Sequence, residues 1–403
     1  MGIPSRKPLH ARHRDGPDRR NDRREAAAEQ PLGRGRTPAR LRFPTRLKAP
    51  LLAALALAAA TAGAAAQSLR IATYDADLSR RGPGLMLRDI AAGKDAQAEA
   101  AAAAVAAVAP DILLLTGIDF DHDGAALDAF AGLLSARGLD YPYRFARRPN
   151  SGMATGLDLD GDGRAGAPRD AQGFGRFAGQ NGMAILSRLP IDAEGARDFS
   201  DFLWRDLPGG LIADAGLAPE AVAIQRLSST AHWDVPVILP DGGRLHLLAF
   251  RATPPVFDGP EDRNGRRNHD ETAFWLRYLD GALPWAPPTA PFVILGNANL
   301  DPVDGDGRPA ALAALLSDPR LRDPAPRGDH RRAEPGHRGD PALDTALFPD
   351  GPGGLRLDYV LPSAGLGVIA AGVLWPAEDA ALAATLAQAS RHRPVWVEID
   401  LPR

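Results

Sequence analysis

Val293-Ile-Leu-Gly-Asn-Ala-Asn-Leu-Asp-Pro302 (VILGNANLDP) is an apolar run that stops at a glycine and then presents polar side chains. A short hydrophobic stretch bounded by Gly and Pro predicts a strand buried on both faces. In α/β proteins, ligands gather at the carboxyl ends of such strands. Yet the first residue past the glycine, Asn297, has no charge to offer a metal ion or a proton. Either this is a catalytic strand end, or it is the remnant of one.

Working outward, the same pattern repeats. Strands are predicted at LRIATYDADL (69–78), PDILLLTGIDFD (110–121), NGMAILSRLPI (181–191), PFVILG (291–296), LRLDYVLPS (355–363) and RPVWVEIDL (393–401). HWDVPVILPDGGRLHLLAFRA (232–252) reads as a hairpin turned at Asp241-Gly242-Gly243. Helices are predicted over 96–108, 127–137 and 269–283, and the polar, Gly-rich stretch 150–180 reads as loop. No internal repeat and no linker interrupts the series, so 67–403 is expected to form one α/β domain.

The 403 residues are 45% hydrophobic and include no cysteine. That suffices for a large core and excludes disulfides and thiolate metal sites. Charge is unevenly spread: residues 1–48 hold 14 Lys/Arg against 5 Asp/Glu, whereas 67–403 hold 33 against 45. Arg42, Arg46 and Lys48, an apolar run over 51–60, and Ala64-Ala65-Ala66 before Gln67 have the layout of a secretory signal peptide, assigned to 41–66. A transmembrane anchor is the alternative, but the run is Ala-rich and short for a hydrocarbon core of about 30 Å. Residues 1–40 lack periodicity, so they are expected to be disordered or to precede the true start. The expected product is secreted or periplasmic, with no stable membrane span after cleavage. Its acidity argues against nucleic acid as a partner through bulk charge; the expected partner is an anionic small molecule or a protein.

The ordered strand ends TYDADL, LLLTGIDFD, FRATPP, LGNANLDP, RLDYVLPS and SRHRPVWV resemble those of the endonuclease/exonuclease/phosphatase family. The long segment TPPVFDGPEDRNGRRNHDE (253–271) is similar to that of exported bacterial members. The resemblance implies a four-layer αββα sandwich of two mixed β-sheets, as in deoxyribonuclease-like phosphoesterases. It also implies a divalent metal, usually Mg²⁺, that activates water for phosphoester hydrolysis.

Several positions depart from that pattern. Asp75 stands where the family has Asn, and Gly117 where it has the metal-binding Glu. Arg251 replaces the His before Thr-Pro-Pro, Asn297 replaces the Asp of Gly-Asp-x-Asn, and Arg391 replaces the Asp of the terminal Ser-Asp-His. Asn299, Asp358 and His392 are retained. The formal charge of the constellation thus moves from about −4 to about 0, and arginines oppose a cation by roughly 4 kcal/mol per unit charge at ~4 Å and an effective dielectric near 20. Asp75 and Asp358 remain the metal candidates at these positions. Asp77, on the same side of an extended strand as Asp75, and Asp119, two residues past Gly117, are candidates for displaced ligands.

Arg251 and Arg391 are candidate anion ligands, because guanidinium pairs bidentately with phosphate or carboxylate. His232, Arg267, Asn268 and His269 either position a ligand or form a buried network that holds the 253–271 segment. Asp158, Asp160 and Asp162 match the opening half of a calcium loop, but its twelfth position is Arg169; Asp301, Asp304 and Asp306 form a similar stretch. Asp/Gly-rich turns are the plainer reading of both.

Three functions remain open: an exported degenerate member (a pseudoenzyme) that binds an anionic or phosphorylated ligand, an active metal-dependent phosphoesterase with displaced ligands, and a structural or interaction protein with an idle pocket.

Overall fold

The computed structural model describes residues 68–289 and 291–401, so the segments 1–40 and 41–66 lie outside the described residues. In chain order the strands are β1 (Ser68–Asp75), β2 (Ile112–Ile118), β3 (Tyr143–Phe145), β4 (Gly182–Ser187), β5 (Arg197–Asp198), β6 (Ala231–Ile238) and β7 (Arg244–Arg251). They continue as β8 (Phe292–Asn297), β9 (Ala346–Phe348), β10 (Gly353–Leu355), β11 (Asp358–Pro362), β12 (Gly367–Val373) and β13 (Val395–Asp400). The helices are α1 (Leu85–Ala91), α2 (Ala96–Val108), α3 (Ala125–Ser135), α4 (Pro219–Ile224), α5 (Arg263–Leu279), α6 (Ala310–Leu316) and α7 (Ala380–Ala389).

Of the two large sheets, the first has the order β12-β13-β1-β2-β4-β3 and the second β11-β8-β7-β6-β5, while β9 and β10 form a separate antiparallel pair. Each is mixed. Strands β1 and β2 run parallel, as do β7 and β8, and the other pairings are antiparallel. A parallel pair needs a crossover; α1 and α2 supply it for the first sheet and α5 for the second.

The layers follow from side-chain alternation. Ile71, Leu114, Trp233, Leu247, Val293 and Val397 meet between the sheets. On the outer face of the first sheet, Tyr74 and Leu113 pack with Met86, Val105, Phe130 and Leu386 of the helices. On the other outer face, Leu248, Phe250 and Ile294 pack with Phe274, Trp275 and Leu312. The result is the αββα sandwich. Strand β2 is buried at every position, as a strand covered on both faces must be. Asp95 caps α2 by accepting from Ala98 N–H, and Ala109 ends it in the left-handed conformation.

Two boundaries differ from expectation. The helix predicted to start at 269 starts at Arg263, since its first half buries Arg267, Asn268, Asp270, Glu271 and Thr272 in place of apolar residues. The strand predicted over 355–363 breaks into β10 and β11, because Arg356 N–H turns to the Asp301 carboxylate (2.7 Å). Among the described residues no helix is long and apolar enough to cross a membrane.

Candidate functional site

The register of the second sheet sets Arg251 beside Asn297 and Asn297 beside Asp358, one row across β7, β8 and β11. Gly296 makes the row possible: its φ is +143°, and a Cβ there would fall 1.9 Å from the Phe250 carbonyl oxygen. Across the gap, β1 ends at Asp75, paired with Thr116 next to Gly117.

Asp75 ties the two sheets together. Its Oδ2 accepts from Arg251 Nε and from Asn297 Nδ2, both at 3.0 Å. Asn297 Oδ1 accepts from Asn299 N–H (2.6 Å), and Asn299 Nδ2 donates to the Ala252 carbonyl (2.7 Å). Asn297 is wholly buried. Its amide is engaged at both ends, so it joins strand ends instead of offering a ligand. Burial pushes the Asp75 carboxyl up, but the charges of Arg251 and His392 and the bonds from Arg251 and Asn297 hold it well below the carboxylate range.

Asp358 forms the second half of the corner. Its Oδ2 accepts from Thr345 Oγ1 (2.9 Å) and faces His392 Nδ1 at 2.8 Å, while its buried Oδ1 has no partner. Ser390 Oγ donates to the Asp75 carbonyl (2.7 Å) and accepts from His392 N–H (3.0 Å), which fixes the imidazole between the two acids. Burial pulls the His392 pKa down, but Asp358 and then Asp75 outweigh it and favour the imidazolium. Ser390 belongs to the terminal Ser-Arg-His motif, which gave it no role of its own, and no sequence pattern marked Thr345.

Gly117 has φ +75°, and a Cβ built on it would lie 2.3 Å from Asp75 Oδ1. The Asp75 carboxylate therefore stands where a side chain from β2 would begin. Asp77 does not share its face: it has φ +53°, lies past the end of β1 and is exposed. Asp119 is engaged by Arg80 N–H (2.8 Å) and Asn181 N–H (3.0 Å), so it braces two loops.

A cavity of about 850 Å³ opens over this corner, with Arg251, Asn299, Arg391 and His392 in its wall. Arg251 is largely buried, whereas 58% of the Arg391 side chain is exposed. The Arg391 guanidinium lies 5.4 Å above the Phe348 ring, and its Nη2 is 3.4 Å from Asp77 Oδ2. The two arginines thus differ in place, one in the floor and one at the rim.

The expected ligand positions around 267–269 serve the frame. His232 Nε2 donates to the Glu271 carbonyl and Nδ1 accepts from Ser228 Oγ, both at 2.8 Å; burial pushes its pKa down to about 4 and keeps it neutral. Arg267 donates to the carbonyls of Leu227, Gln172, Arg226 and Ser228. Asn268 Nδ2 bridges the Thr253 and Ala298 carbonyls (both 2.7 Å), and His269 Nδ1 lies 2.9 Å from Asp270 Oδ1. His232 and Asn268 have no exposed surface, and of the four only Arg267 also lines the cavity.

Asp158, Asp160 and Asp162 do converge, with one oxygen from each within 4.8 Å of the others, and all three are exposed. Such a set could hold a cation, but Asp158 already accepts from Gly161 and Gly163 N–H (both 2.8 Å), the bonding of a turn. In the second stretch Asp301 accepts from Val303, Asp304 and Arg356 N–H, and Asp304 from Arg338 and Gly339 N–H. Those carboxylates are occupied by backbone.

The corner itself does not fit a hard divalent cation. Gly117 supplies no oxygen, Asp75 is neutralised by Arg251, and Asp358 faces His392. A divalent ion placed about 4 Å from the Arg251 guanidinium would be opposed by roughly 8 kcal/mol at an effective dielectric near 20.

Residues 84–392 match the Endonuclease/Exonuclease/phosphatase family. No curated protein matches the chain. Among solved structures, an endonuclease/exonuclease/phosphatase from Beutenbergia cavernae is 18% identical, with 83% of this chain and 72% of that one covered and a TM-score of 0.48. A family protein from Leptotrichia buccalis is 13% identical, with coverage of 83% and 100% and a TM-score of 0.47. A mannosyl-6-phosphatase from Bacteroides thetaiotaomicron is 15% identical, with coverage of 83% and 100% and a TM-score of 0.44. With the family match running from α1 to His392, the chain belongs to the endonuclease/exonuclease/phosphatase family.

Proposed function

We propose that this chain is an exported, degenerate member of its family that captures a phosphate-bearing or other anionic ligand without metal-dependent hydrolysis. The observation that carries this reading is the bonding of Asp75, whose Oδ2 is taken by Arg251 and Asn297 at the strand ends where the family pattern would place a metal. Cationic groups in the cavity wall, namely Arg251, Arg391 and the proton-favouring His392, suit an oxyanion. The charge pattern and small-residue stop before Gln67 support export.

The test is an assay of residues 67–403 on a phosphomonoester, a phosphodiester and plasmid DNA with Mg²⁺, Mn²⁺ and Ca²⁺, alongside thermal shifts with phosphate and inositol phosphates. No metal-dependent turnover, with an anion-induced rise in Tm that Arg391→Ala diminishes, is the expected result. Metal-dependent turnover abolished by Asp358→Ala overturns it.

A second reading, an active phosphoesterase with displaced ligands, is favoured by two observations. The Asp75 carboxylate fills the space beside Gly117, and Asp358 Oδ1 is buried without a partner. The same assay decides between them.

A further inference from the structure

Among the large hydrophobic side chains of the described surface, Phe257 (76% exposed) and Phe174 (60%) are the two most exposed. Both line the one cavity that also holds Arg251, Arg391 and His392. Single exposed apolar residues are ordinary. These two differ in how they are held.

Phe257 has φ +74°, a conformation that a bulky L residue rarely adopts. Asn264 fixes both of its neighbours: its Nδ2 donates to the Val256 carbonyl (2.7 Å) and its N–H to Asp258 Oδ2 (2.5 Å). Phe174 sits between two glycines pressed onto backbone. A Cβ at Gly173 would fall 1.8 Å from the Ser229 carbonyl oxygen, and one at Gly175 would fall 2.5 Å from Gly152 N. The fold thus holds two wet phenyl rings on braced backbone at the wall of a cavity that also carries Arg251, Arg391 and His392, each facing an aspartate. Phe348 adds a third ring to that wall, 6.1 Å from the His392 ring and edge-on to it.

We infer that the ligand is an amphiphilic phosphate ester, with its anionic head on Arg251, Arg391 and His392 and its alkyl or aryl body on Phe174 and Phe257. This rests on the anion-capture reading and names its ligand class. The charged floor sets the head's position, and the rings remove the apolar body from water, a gain proportional to the area covered.

The experiment titrates the 67–403 protein with inorganic phosphate and with monomeric hexyl phosphate by calorimetry, beside the Phe174→Ser/Phe257→Ser double variant. Both substitutions are at exposed positions, and matching wild-type and variant Tm values establish that the fold is kept. Hexyl phosphate is expected to bind at least about tenfold more tightly than phosphate to the wild type, and the variant to lose that advantage while keeping its phosphate affinity. Co-sedimentation with phosphatidic acid vesicles, lost in the variant, supports an ester carried in a bilayer; hexyl phosphate binding without co-sedimentation supports a soluble ester. Equal affinities for the two ligands, or a preference that survives in the variant, overturns the inference. Vesicle binding without hexyl phosphate binding also overturns it. If neither phosphate nor its ester binds, the anion-capture reading itself fails.

Discussion

Arg251 Nε lies 3.0 Å from Asp75 Oδ2, and that bond spans the gap between the two sheets. Only 15% of the arginine side chain and 4% of the aspartate side chain are exposed, so each charge depends on the other. Removing one partner of such a pair typically costs about 3–5 kcal/mol, whereas removing both leaves little uncompensated charge. Arg251→Met is therefore expected to destabilise strongly, and adding Asp75→Asn to restore more than half of the loss. Urea unfolding of the wild type, both single variants and the double variant measures the coupling. Additive losses would mean that the bond contributes nothing.

Gly117 carries a second expectation. A non-glycine residue at its φ of +75° costs about 1–2 kcal/mol on backbone grounds alone. The new Cβ would also displace the Asp75 carboxylate, 2.3 Å away, from Arg251. Gly117→Ala should thus cost more in the wild type than in an Asp75→Ala background, where the backbone cost of ~1–2 kcal/mol and a 3.0 Å approach to the Asp77 nitrogen remain. Equal penalties in the two backgrounds would show that the carboxylate does not occupy that space. Placing Glu at 117 meets the same obstacle, so that substitution needs Asp75 changed as well.

The central strands were legible in the sequence because burial on both faces leaves an uninterrupted apolar run, as in Ile112–Ile118. The start of α5 was not, since a buried Arg267-Asn268 followed by Asp270-Glu271 has a solvent-facing composition and a core position. Helices α1 and α7 and the edge strand β12 were also missed; their short or alanine-rich sequences carry weak periodicity, and β12 is mostly half-buried. At the site, motif order identified the strand ends, but no spacing rule links Asp75 to Arg251 across 176 positions. Asp77 illustrates the limit: strand alternation set it beside Asp75, and the chain leaves the strand two residues before it.

Arg267 separates framing from ligand contact. It lines the cavity, yet it donates to four carbonyls and lies near the buried Glu271, whose carboxyl accepts from Ser229 and Thr253. Arg267→Met should destabilise because the buried carbonyls it serves lose their donor, at about 1–3 kcal/mol for each one left unpaired. Phosphate affinity of the folded variant, measured well below its Tm, should stay within about twofold, less than 0.5 kcal/mol. A large affinity loss with unchanged stability would instead make Arg267 a direct ligand.

His392 sets the pH dependence. Its folded pKa is raised above the unfolded value near 6.5, because Asp358 and Asp75 outweigh burial. The raised pKa contributes stability that is fully present below about pH 6.5 and is lost as pH rises through the folded value. One proton limits the slope to about 1.4 kcal/mol per pH unit. Asp75 works at the other end: its depressed pKa contributes stability present above about pH 4 and lost as pH falls. The wild type should therefore lose stability as pH rises above about 6.5, and His392→Gln should remove that loss while retaining the acid-side decline. Anion affinity should fall over the same alkaline window, as the imidazolium beside Asp358 gives up its proton. Denaturant unfolding and phosphate titration across pH 5–9 test both limbs, and an alkaline slope unchanged in His392→Gln would assign it to some other group.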